Sequence, residues 1–213
     1  GAPADIEDGV VGARGALDDD WGSTTASVRA DVNDRLYALF LERSDDLANL
    51  ITAEVGCPLL FSHFGQVGAT GMVLDYFAKL TRSFEFEEVR PGMMGPALVR
   101  HEPVGVSAGI VPWNVPLFIS MLKLAPALAS GSTMVLKPAP ETPLSAYALA
   151  ELCADAGVPD GVVNNVPAGR ETGQHLVTHP GVDKVSFTGS TAAGRKIGAA
   201  CGELLRRVTL ELG

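Results

Sequence analysis

The chain has 213 residues, 46% of them hydrophobic and 19% charged, and 25 acidic against 16 basic side chains leave a net charge of −9. That balance excludes a protein that grips nucleic acid or an anionic lipid surface through Lys and Arg, so neither nucleic-acid nor membrane partners are expected. The apolar fraction excludes disorder, because it is ample to bury a core. Three scattered cysteines with no Cys-x-x-Cys pair point away from a disulfide framework and from structural zinc, and no metal is expected from the histidine spacing. The first residues show no basic-then-apolar leader pattern, so the expected location is cytoplasmic.

The first elements read as helices. Val32, Leu36, Leu39, Phe40, Leu47, Leu50, Ile51 and Val55 recur at about 3.6 residues over 31–55, as one amphipathic helix would. Ser23, Thr24 and Ser27 offer N-caps, and Gly56-Cys57-Pro58 supplies the stop. A second helical pattern runs from Phe61 to Phe77, with Val67, Met72, Val73 and Phe77 as core positions. Between Glu85 and Pro103 the pattern becomes strand-like around a Pro91-Gly92 turn, and the polar Arg100-His-Glu-Pro103 end suggests an exposed ribbon.

From Val104 onward strands and helices alternate. Strands are predicted over 104–111, 133–136, 162–166, 184–187 and 208–212, with helices over 117–129, 144–156, 171–178 and 191–201. Short apolar strands separated by helices specify an α/β fold, here a doubly wound parallel five-stranded sheet of Rossmann-like type. The uncharged run Val104–Leu122 approaches membrane-spanning length, but Pro112, Asn114 and Pro116 interrupt it, so it reads as a buried strand and helix.

In such sheets ligands gather beyond the C-terminal strand ends. After the first of these strands, Asn114 in Pro112-Trp-Asn-Val-Pro116 reads equally as a helix N-cap or as an amide donor toward an oxyanion. After the second, Lys137 is either a solvated lysine or a donor to a ribose hydroxyl or phosphate. Phe187-Thr-Gly-Ser-Thr-Ala-Ala-Gly194 opens a helix whose N-terminus could take a phosphate, with Ser190 or Thr191 as the alternative N-cap. Glu211, between leucines at the last strand end, is either a desolvated general base with a raised pKa or an ordinary exposed acid.

Ile110–Leu117, Lys123–Gly131, Lys137–Pro143, Phe187–Thr191 with Gly194, and Leu210–Gly213, in this order, resemble the coenzyme-binding half of the aldehyde dehydrogenase superfamily. The likeness extends through Glu54–Pro58 and Arg100–Pro103 to essentially the whole chain. It implies NAD(P)-dependent oxidation of an aldehyde to a carboxylic acid. A cysteine thiolate attacks the aldehyde, an amide matching Asn114 holds the oxyanion, hydride passes to the nicotinamide, and a glutamate matching Glu211 activates water to hydrolyse the thioester. Lys123 matches a lysine that assists proton movement. The cofactor-contacting positions implied are Val111, Pro112, Trp113, Lys137, Pro140, Gly169, Phe187, Thr188, Gly189, Ser190, Gly194, Glu211, Leu212 and Gly213.

NAD is the cofactor expected. At Pro140 many NAD-preferring relatives carry a glutamate that accepts the adenosine-ribose hydroxyls, and its replacement leaves NADP open. The resemblance divides the chain into an N-terminal helical part of the coenzyme domain (1–84), a ribbon joining copies into a homodimer or homotetramer (85–103), and the Rossmann-like part (104–213). The family's nucleophilic cysteine lies beyond the glutamate. Cys57, Cys153 and Cys201 match no such position and are expected to be buried structural thiols, so a thiol-bearing domain is expected after residue 213 and these residues alone should be inactive. Two other readings stay open, a stand-alone dinucleotide-binding or pseudoenzyme module and an oligomerisation partner without redox chemistry.

Overall fold

A computed structural model describes all 213 residues. The chain begins with a helix that the periodic reading passes over, α1 (Pro3–Asp19), which buries Ile6, Val10 and Ala13 along one stripe. Gly9, Gly12 and Gly15 dilute its helical signal, since glycine costs about 1 kcal/mol against alanine in a helix interior. The single helix expected over 31–55 is two, α2 (Ala26–Glu42) and α3 (Ser44–Val55), separated at Arg43. Phe40 and Leu47 are seven residues apart, so the buried stripe stays in phase across the break and conceals it. Thr25 caps α2 in place of the three expected residues, its hydroxyl accepting from the Val28 N–H at 3.4 Å. Gly56, at φ +77°, ends α3 as expected, in the left-handed conformation that glycine adopts without penalty.

The second helical pattern is also divided. A short turn α4 (Leu59–Phe61) passes through a π-helical stretch, Ser62–Gly68, into α5 (Ala69–Ser83). The ribbon forms as expected, β1 (Glu87–Arg90) pairing antiparallel with β2 (Ala97–Arg100) and leaving most of its surface exposed.

The remaining elements alternate: β3 (Val106–Ile110), α6 (Pro116–Ser130), β4 (Thr133–Lys137), α7 (Leu144–Asp155), β5 (Val163–Asn165), α8 (Arg170–Thr178), β6 (Lys184–Gly189), α9 (Thr191–Glu203) and β7 (Arg207–Leu212). All five strands are parallel, in the order β5-β4-β3-β6-β7. The chain winds outward from β3 through β4 to β5, then returns to lay β6 on the other side of β3. This places the topological switch point between β3 and β6. One core lies between the sheet and α2, α3, α5, α6 and α7, and the other between the sheet and α1, α8 and α9. Residues 1–84 therefore straddle the sheet.

One glycine anchors the lower end of β3. Gly105 sits at φ +116°, and a Cβ there would lie 2.0 Å from Asp183 Oδ2. The space it leaves lets the Asp183 carboxylate accept from the Val106 N–H at 2.8 Å and from Arg14 at 2.5 Å, tying α1, β3 and β6 together. The uncharged run 104–122 is divided between β3 and α6, and no helix is long and apolar enough to cross a membrane.

Candidate active-site rim

Beyond β3 the chain turns through Val111–Val115 into α6. The Val111 N–H donates to the Lys137 carbonyl at 3.1 Å, holding the ends of β3 and β4 side by side. Val115 occupies the N-cap and Pro116 the first helical position, where a missing N–H costs nothing. Asn114 is thus not the cap. Its exposed amide makes no hydrogen bond within the chain, which leaves the donor free for a ligand. Exposed Trp113 accepts at its carbonyl from Thr142 Oγ1 at 3.0 Å, and this bond links the two strand-end loops.

Lys123, on α6, reaches across the sheet above Gly109, where a Cβ would stand 3.5 Å from its Cδ. Its Nζ donates to Thr188 Oγ1 at 2.8 Å and Ser186 Oγ at 3.1 Å, and the residue is buried. Burial pushes its pKa from the ordinary 10.5 down to about 8, with Lys184 acting in the same direction and Glu211 opposing. Parallel register sets Glu211 beside Thr188 on the neighbouring strand. Glu211 is exposed on the open edge strand, so the desolvation by its flanking leucines is not found. Ser186 escapes the sequence reading, although its period-two spacing from Thr188 puts both hydroxyls on one face of β6.

Lys137 is buried rather than solvated. Its Nζ donates to the Ala168 carbonyl at 2.5 Å and the Pro138 carbonyl at 3.0 Å, and burial lowers its pKa against the pull of Glu141. Gly173 makes room for the stem, since a Cβ there would stand 3.2 Å from Lys137 Cδ. Pro140 and Gly169 are exposed on either side of this rim.

Ser190 is the N-cap of α9, accepting from the Ala193 N–H at 3.3 Å, and Thr191 Oγ1 donates to the Gly213 carbonyl. The structure places Phe187 in the core on the sheet face opposite Thr188, with Gly189 next to its ring. A Cβ on Gly194 would lie 2.3 Å from a Leu212 methyl, so this glycine lets α9 settle on β7.

Glu7, His175 and His179 bring ligand atoms within 4.8 Å of one another, a grouping hidden in the sequence because Glu7 lies 172 residues from His179. Hydrogen bonding accounts for it. His179 Nδ1 accepts from the Gly181 N–H at 3.0 Å, so the ring proton resides on Nε2 and is donated to Glu7 Oε2 at 2.8 Å. Neither ring nitrogen of His179 then keeps a free lone pair for a cation. Cys153 and Cys201 are buried as expected, whereas Cys57 is only half-buried and lies against polar groups.

The doubly wound sheet, with polar side chains gathered along its carboxyl rim, defines an α/β fold of Rossmann-like type. The whole chain, residues 1–213, matches the model of the aldehyde dehydrogenase family, and the chain belongs to that family. It is 44% identical over 211 residues to geranial dehydrogenase of Castellaniella defragrans, covering 98% of this chain and 44% of that protein. It is 45% identical over 217 residues to phenylacetaldehyde dehydrogenase of Pseudomonas fluorescens, covering 98% and 43%. An aldehyde dehydrogenase of Mycobacterium tuberculosis solved with NAD+ superposes with a TM-score of 0.97 at 44% identity, over 100% of this chain and 44% of that one. The chain thus spans less than half the length of these relatives.

Proposed function

We propose that this chain is the coenzyme-binding part of an NAD-dependent aldehyde dehydrogenase that oxidises an aldehyde to a carboxylic acid. The observation that carries the reading is that Lys123 reaches Thr188, with Glu211 set beside it in register, on the same sheet end where the β3–α6 turn presents the unengaged Asn114 amide. Asn114 donates to the oxygen that gains charge when the carbonyl is attacked. Glu211, open to water, is the base that activates the hydrolytic water, and Lys123 passes protons through the Thr188 hydroxyl.

The rim fits NAD+. Lys137 Nζ can spare a proton for ribose hydroxyls, and the first turn of α9 offers N–H groups without helical partners to the pyrophosphate. Val111, Pro112 and Trp113 flank the reacting end, while Pro140 and Gly169 border the ribose. Thr188, Gly189, Ser190, Leu212 and Gly213 complete the cleft, with Phe187 and Gly194 packed behind it. When bound, NAD+ supplies the hydride acceptor. Pro140 offers no acceptor to the ribose hydroxyls, which supports NADP+ as a second cofactor.

The relatives named for geranial and phenylacetaldehyde act on apolar aldehydes, and exposed Trp113 next to Asn114 suits the same class here. Val89, Met93, Met94 and Leu98 stand exposed on the 85–103 ribbon, which supports its joining copies of the protein into a dimer or tetramer. Three unpaired cysteines suit a reducing, cytoplasmic setting.

Calorimetric titration of the chain with NAD+ tests the cofactor reading, and an absence of binding overturns it. For the enzyme, the test is the encoded sequence after Gly213. A cysteine there, with NADH production from aldehyde in the longer protein, is expected; its absence would leave a dinucleotide-binding module. The 213 residues alone should produce no NADH.

A further inference from the structure

The proposed activity uses no cysteine of this chain, and two of the three are sealed. Cys153 and Cys201 are buried, and burial raises both thiols, Cys153 to about 12. Cys57 differs. It lies half-buried on the link between α3 and α4, with Ser62 Oγ 3.1 Å from its Sγ and Gln66 Nε2 donating to it over 3.7 Å. Ser62 also hydrogen-bonds Thr52 Oγ1 at 2.7 Å, so a run of hydroxyls leads from α3 to the sulfur. Ser62 and Gln66 both belong to the π-helical stretch, an irregularity that often accompanies functional sites.

The Gln66 amide leaves this arrangement incomplete. Gln66 is 0% exposed, and its Oε1 has no hydrogen-bond partner although the same amide donates to Cys57. Turning the amide over would leave Nε2 unpaired instead. In either orientation a buried polar group beside the sulfur lacks a partner, and such groups are costly to leave unmet.

We propose that Cys57 is a hydroperoxide-reactive thiol whose sulfenic acid is completed by Gln66. The sulfur attacks the peroxide, forming an S–O bond as the O–O bond breaks. The distal oxygen leaves with the thiol proton, as water from hydrogen peroxide or as an alcohol from an organic hydroperoxide. Sulfur is oxidised by two electrons and the peroxide is reduced by two. The new S–O–H donates to Gln66 Oε1, and its oxygen accepts from Ser62.

The full chain is treated with hydrogen peroxide in the presence of dimedone, which captures sulfenic acids, and each cysteine is read by peptide mass spectrometry. Cys57 should carry the adduct and form it faster than a peptide of the same flanking sequence, while Cys153 and Cys201 stay unmodified. Gln66→Leu and Ser62→Ala should each slow the adduct roughly fivefold, the scale of one hydrogen bond. Alkylation of Cys57 by iodoacetamide should not slow with it, and a variant that merely unfolds would alkylate at all three cysteines, leaving the other variant to decide. Equal labelling of the three cysteines, labelling of Cys57 no faster than the peptide, or parental dimedone rates in the folded variants would overturn the proposal.

Discussion

Lys123 and Lys137 stand on the same rim, both buried and neither in an ion pair, yet their partners differ in kind. Lys123 donates to two hydroxyls, Ser186 and Thr188; Lys137 donates to two backbone carbonyls, at Pro138 and Ala168. A hydroxyl accepts from an ammonium and can equally donate to a neutral amine, so Lys123 keeps its partners whether or not it carries the extra proton. A carbonyl only accepts, which commits Lys137 to donating. This difference supports the proposed division, in which the stretch of rim around Asn114, Lys123 and Glu211 moves protons and receives charge and the stretch around Lys137 holds a ligand still.

That division can be broken experimentally. Asn114→Ala in the complete enzyme should lower kcat by roughly 10²–10³, the scale of one oxyanion donor, with NAD+ affinity nearly unchanged. A parallel loss in both would mean that the two stretches act as one. Lys123→Met tests the proton-moving stretch through stability. Because burial depresses its folded pKa to about 8, the charged form is penalised in full below that pH. The penalty fades as pH rises from about 8 toward 10.5, where the unfolded chain binds more protons than the native one, so the parent gains stability over that window. Relative to the parent, Lys123→Met should therefore lose about 3 kcal/mol between pH 7 and 10.5 in chemical denaturation. A difference that does not vary with pH would remove the basis for a proton carrier.

Lys137→Ala should raise the NAD+ Kd roughly tenfold in calorimetry, as loss of a charged hydrogen bond does, while kcat at saturating NAD+ stays near the parental value. A fall in kcat instead would shift Lys137 into the reacting stretch. The smallest effect is expected at the joint between the two stretches. Thr142→Val removes the bond to the Trp113 carbonyl and should cost about 1 kcal/mol of stability, read as a lower denaturation midpoint.

From Val104 onward the sequence foretells the architecture to within a few residues at each boundary, because apolar strands are punctuated by glycine and proline and each hydrophobic period has one interpretation. The first third is harder to read. The glycines of α1 weaken its signal, the in-phase stripe hides the break at Arg43, and the same 3.6-residue pattern suits both the π-helical stretch and α5.

By itself, then, the sequence determined the order of strands and helices and which side chains reach the carboxyl rim. Strand period and breaker residues are local properties, and the rim follows from parallel topology. Only the tertiary structure decided the partners and the solvent access of each site residue. Asn114 is a free amide because Val115 and Pro116 start α6; Lys137 is buried because Ala168 closes over it; Glu211 is exposed because β7 is an edge. Ser186 and Cys57 find their polar partners in Lys123 and Gln66, which belong to other elements. The physical reason is common to all of them: a polar group's chemistry is set by its hydrogen-bond partners and its access to water, and here both come largely from other elements of the fold.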